Sequence, residues 1–136
     1  MKEKQIEIEI YDKEENSTTT FLVEKISENK FKLLDNDFFN SRYNLGTEIE
    51  IRINSEGKNE FVRIVKESKF VTRRFLLNSQ FKESEYQLLG DEIEKQGGHW
   101  EVGFGSVAVI NLPKNSKLDL DQIFKIFNFK PVEIKE

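Results

Sequence analysis

Isoleucine alternates with glutamate from Ile6 to Ile10, and Ile49, Ile51 and Ile53 alternate with Glu50 and Arg52. A period of two belongs to a strand with one dry face and one wet face, so each stretch needs a shared interior to bury its isoleucines. Thr18 to Ile26, Lys30 to Leu34 and Glu60 to Lys66 read as further strands. They are separated by the turn-like segments Asp12 to Ser17, Ser27-Glu28-Asn29 and Ser55-Glu56-Gly57-Lys58-Asn59, with Gly46 opening the fourth strand. Five short strands, tight turns and no helical stripe predict a small, strongly bent β-sheet or barrel over residues 1–68.

The rhythm then changes. Phe70 to Leu77 reads as an apolar strand, and Ser79 or Ser84 suits the cap of a helix running to about Gln96, with Tyr86, Leu89 and Ile93 on one stripe. Gly97-Gly98 ends that helix, the first glycine fitting a left-handed position after the last turn. His99 to Phe104 and Ser106 to Leu112 are strands around Gly105. A second helix carries Leu120, Ile123, Phe124 and Phe127 and stops at Pro131, and Val132 to Lys135 adds an edge strand. The order β-α-β-β-α-β over residues 69–136 is that of a ferredoxin-like lobe, in which Phe70–Leu77 and Ser106–Leu112 would be the central strands. Val107 to Ile110 is apolar on both faces, so both faces should be covered, one by the helices and the other by the N-terminal lobe. The expected molecule is α+β, with the β-lobe packed on the ferredoxin-like lobe as one compact body.

The absence of cysteine excludes disulfides and thiolate metal sites and points to a reducing compartment. With no run of about 18 apolar residues and no signal-peptide pattern at Met1–Ile10, a cytoplasmic protein is expected, without a membrane partner. Of the net charge of −4, residues 1–68 carry all: 11 Lys/Arg against 15 Asp/Glu, with 10 against 10 in the remainder. Nucleic-acid binding needs a basic face, which this distribution does not offer. An acidic lobe would suit a basic protein surface, or would simply keep the chain soluble.

The segments Leu34-Asp35-Asn36-Asp37-Phe38-Phe39, Leu45-Gly46-Thr47-Glu48 and Val65 to Arg74 carry a resemblance. Gly97-Gly98-His99-Trp100-Glu101 and Val107-Ala108-Val109-Ile110-Asn111-Leu112-Pro113 continue it. In that order, from about Phe21 to Glu133, the chain resembles the bacterial domain-of-unknown-function family DUF4265. The resemblance implies the fold and lends no activity.

Few residues point to chemistry. His99 is the single histidine, so a triad or a histidine-rich zinc site lacks partners, and no metal or cofactor is expected. Glu7 with Glu9, and Glu48 with Glu50, each share a strand face. Such pairs form a solvated surface unless a dry cleft splits their pKa values. Gly97-Gly98 and Gly103-Phe104-Gly105 lack the context of a phosphate loop and read as backbone punctuation. Arg73-Arg74 sends its two guanidiniums to opposite faces of a strand. Either one pairs with a carboxylate of the acidic lobe while the other reaches solvent, or the pair contacts an anion.

The loop Asn36 to Tyr43 concentrates Phe38, Phe39, Arg42 and Tyr43, the residue types enriched in binding hot spots; the same phenylalanines could equally fill the junction of the lobes. The expected function is a non-catalytic protein-binding domain, specifically an immunity-type or regulatory inhibitor. It would meet its partner through that loop and through Glu7, Glu9, Glu48 and Glu50. The alternative is an enzyme or small-ligand binder with a site at the lobe junction.

Overall fold

The structure, a computed structural model, describes residues 5–77, 83–126 and 130–135, without the side chains of residues 83, 84 and 86. Ser79, one of the two expected caps, and the stripe position Phe127 therefore lie outside the described residues, as do the side chains of Ser84 and Tyr86. The chain divides into two units, Met1–Asp37 with Arg42–Lys69, and Phe38–Ser41 with Phe70–Glu136. The boundary falls one residue later than the sequence suggested. Four loop residues expected in the first unit belong to the second.

The first unit is a closed barrel of strands β1 (Gln5–Asp12), β2 (Ser17–Lys25), β3 (Lys30–Leu33), β4 (Glu48–Ile53) and β5 (Asn59–Lys66), in that order. Each is antiparallel to the next, and β5 returns to run parallel to β1 at the pair Tyr11–Glu60. Register shifts beside Ile49 and Ile51 bend β4 against β5, as closure of so small a barrel requires. Alternation does the rest. Ile10, Phe21, Val23, Phe31, Leu33, Ile49 and Ile51 all turn inward and form one buried cluster.

The outward residues of β2 to β5 form a ladder of alternating charge. Glu24 lies opposite Lys32, Lys32 opposite Glu48, and Glu48 opposite Lys66; one row over, Glu50 lies between Lys30 and Arg63. Cross-strand opposite charges stabilise such a surface modestly.

The second unit contains a four-stranded sheet of β6 (Phe70–Leu76), β7 (His99–Gly103), β8 (Val107–Pro113) and β9 (Val132–Glu133), with α1 (Glu83–Lys95) and α2 (Leu120–Ile126). Its strand order is β7-β8-β6-β9, every neighbouring pair antiparallel, with β6 and β8 inside. Leu89 and Ile93 of α1 and Leu120 and Phe124 of α2 join Phe75, Ile110 and Leu112 in one buried cluster, so both helices pack on the same sheet face. Val107, Val109 and Asn111, which point the other way along β8, are buried too, matching the two-faced apolar pattern of that strand.

Two glycines are explained by what they touch. Gly97 has φ 81°, and the bonds Gly98 N–H to Ile93 O and Gly97 N–H to Glu94 O close α1 in a Schellman cap. Gly90, inside α1, lies against the indole of Trp100: a Cβ there would sit 1.9 Å from Nε1. Close packing of helix on strand thus outweighs the helix propensity that alanine would add.

Candidate functional site

The loop between β3 and β4 divides its aromatic residues between two environments. Tyr43 lies in the barrel core, 3% exposed, its ring against Phe21 and Phe61. Its hydroxyl donates to Asp12 Oδ2 at 2.5 Å. Arg42 donates to the same carboxylate and to Glu14 at 2.6 Å, with its guanidinium over the rings of Tyr43 and Phe61. Asp12 also accepts the Glu15 N–H, so a buried carboxylate at the end of β1 ties down the loop that follows β3. Burial, reinforced by the neighbouring carboxylate, holds the Tyr43 hydroxyl in its neutral form well above the ordinary tyrosine range. Tyr43 is therefore a core residue rather than part of an exposed surface, and the partly exposed Arg42 is engaged by Asp12 and Glu14. A buried hydroxyl and an engaged guanidinium are already committed to Asp12.

Phe38 and Phe39 behave differently. Phe38 is half-buried over Gly103, where an added Cβ would lie 2.7 Å from its ring, and it meets Phe104 edge-on at 5.4 Å. Phe39 is 51% exposed and its ring lies 5.1 Å from that of Phe104. Phe104 occupies the tip of the β7–β8 hairpin at φ 54° and is 74% exposed. A left-handed backbone costs a bulky residue about 1–2 kcal/mol that glycine or asparagine would largely avoid. At this exposure the ring recovers little of that cost by burial. The flanking Gly103 and Gly105 were visible in the sequence as a turn, but Phe104 itself escaped notice as a functional candidate.

The four expected carboxylates do not form one face. Glu7 and Glu9 on β1 lie opposite Leu22 and Thr20, whereas Glu48 and Glu50 on β4 stand within the charge ladder, with Arg63 3.0 Å from Glu50. In the barrel order β1 and β4 are not neighbours.

Arg73 and Arg74 do point to opposite faces, but their partners differ from those expected. Arg73 grips Glu133 through Nε and Nη2 at 2.9 Å and Asp121 through both terminal nitrogens at 2.9 and 3.2 Å. All these groups belong to the second unit rather than to the acidic lobe. Arg74 does not reach solvent: it is 4% exposed and donates to the Asn40 carbonyl.

Hydrogen bonds from Arg73 hold both the Asp121 and the Glu133 carboxyls below their ordinary range. Stability from a depressed carboxylate is present above its unfolded pKa and is lost as pH falls through the folded one. Arg73→Gln is thus expected to lower the melting temperature at pH 7, with the gap to wild type narrowing below about pH 4. Thermal melts at pH 7 and pH 3 check this; an unchanged gap would mean that the loss does not come from the carboxylate charges.

His99 is exposed and lies 3.9 Å from Glu101. Among the described residues no group of three or more histidine, aspartate or glutamate side chains could hold a metal ion, and no helix is long and apolar enough to cross a membrane.

Comparison with known proteins bears on the fold. The crystal structure of a hypothetical protein from Neisseria gonorrhoeae is similar with a TM-score of 0.66 at 18% identity, over 91% of this chain and 87% of that one. At this identity the likeness is one of fold. No family model and no curated protein matches the chain.

Proposed function

We propose that this is a non-catalytic protein-binding module that docks through the exposed aromatic pair Phe104 and Phe39, braced from beneath by Phe38. The observation that carries the reading is Phe104 at φ 54° and 74% exposure. An unfavourable backbone holding an apolar ring in water is explained by a gain made on binding. An immunity-type or regulatory inhibitor, acting in the cytoplasm, is the specific form proposed. The alternating charges on the barrel leave steering of a basic partner to Glu7 and Glu9 rather than to Glu48 and Glu50. The strand order and antiparallel pairing of the second unit support its assignment as ferredoxin-like, and membership of DUF4265 belongs to the same proposal.

Phe104→Asn separates the two contributions. Relief of the left-handed backbone gives back about 1–2 kcal/mol, and loss of the ring contacts removes about 0.5–1.5 kcal/mol. Folding stability should therefore stay within about 1 kcal/mol of wild type. A partner retained by the wild-type protein from its native cell should be lost by Phe104→Asn and weakened by Phe39→Ala. Undiminished retention by a folded Phe104→Asn/Phe39→Ala double variant would remove the proposal.

A further inference from the structure

A recess of about 360 Å³ opens in the second unit between the start of β6 and the segment that joins β8 to α2. Its floor is apolar: Val71, Leu112, Pro113 and Leu118 line it, and Val71 remains 49% exposed although it sits on the helix-bearing face of the sheet. The charged residues of the wall are not equivalent. Arg73 and Asp121 are bound to one another, and Asp119 accepts the Gln122 N–H at 3.0 Å. Lys114 and Lys117 are exposed and enter no ion pair among the described residues. Two unengaged ammonium groups thus stand beside the half-exposed Val71, with Asp121 paired to Arg73 and Asp119 taken up as the acceptor at the start of α2.

We propose that this recess binds a small carboxylic acid with an apolar body. A neutral apolar molecule would use the floor and leave the lysines unused. Inorganic phosphate would meet the lysines and leave Val71 wet. A monoanion with a short aromatic or aliphatic tail satisfies both, and the volume lies at the lower end of ordinary ligand sites. Lysine suits the head group as a mobile point charge that needs no fixed fork geometry. The site is independent of the aromatic hairpin tip and shares none of its residues.

The test is titration of the full ¹⁵N-labelled chain at low salt with 4-phenylbutyrate, followed by amide shifts. Saturable shifts should centre on Val71, Leu112 and Leu118, with a Kd of about 1 mM or tighter. 4-Phenylbutyramide and inorganic phosphate should each bind about tenfold more weakly or not at all. Lys114→Gln/Lys117→Gln, confined to exposed positions, should weaken the acid by about tenfold and leave the amide unchanged. Absence of saturation by about 10 mM acid, equal binding of acid and amide, or shifts centred elsewhere would each overturn the proposal. So would a double variant that binds the acid as wild type does.

Discussion

Asp12→Ala is expected to destabilise the protein by about 3–5 kcal/mol, the loss typical of stripping one partner from a buried ion pair. The Asp12 side chain is 6% exposed and receives Arg42, the Tyr43 hydroxyl and the Glu15 N–H. Removing the carboxylate takes the acceptor of the Tyr43 hydroxyl out of the barrel core and strips Arg42 of the more buried of its two carboxylate partners, leaving it Glu14. Asp12→Asn keeps an acceptor and loses the charge, so a smaller loss is expected. Urea denaturation of both variants at neutral pH measures the difference. A loss under about 1 kcal/mol for Asp12→Ala would mean that water reaches the pair and screens it as it does a surface bridge.

Phe124→Ala is expected to cost a similar amount, about 3–5 kcal/mol, for a different reason. Phe124 is 9% exposed and its ring meets Phe75 edge-on at 5.1 Å, joining α2 to the central strand β6. α2 spans only seven residues, too few to hold a helix by backbone bonds alone, so its order depends on this contact and on Leu120. Truncation therefore removes buried area and loosens the helix as well. Denaturation would show it as a lower midpoint, and circular dichroism as a loss of helix. A cost below about 1 kcal/mol would mean that neighbouring side chains collapse into the space.

The strands were legible because isoleucine and charge alternate with the period of a pleat, and the helices because Leu89 and Ile93, and Leu120 and Phe124, repeat every four residues. The ion-pair partners were not. Asp12 continues the inward set of Ile8 and Ile10, yet its charge made it read as turn, and Arg42 lies 30 residues away. Arg73 finds Asp121 and Glu133 at separations of 48 and 60 residues, a choice made by packing that no local pattern encodes. Phe104 shows the limit for the candidate site. Its flanking glycines announce a tight turn, but only the backbone angle tells which way the ring faces.

The parallel meeting of β1 and β5 has a kinetic consequence. A meander of five strands brings its first and last members side by side in the same direction, so the final seam cannot be made by a hairpin. Here it rests on the Tyr11–Glu60 pairing and the bond from the Asn59 side chain to the Glu9 carbonyl, across about 50 residues of sequence. Three of the four sequential pairings close over turns of four or five residues, and the β3–β4 pairing over 14, so all of them can form before the seam, which waits for the whole set. Folding should therefore be limited by closure of the barrel rather than by formation of its strands. In native-state hydrogen exchange, the amides along β5 that face β1 should open at lower free energy than those bonded between β1 and β2.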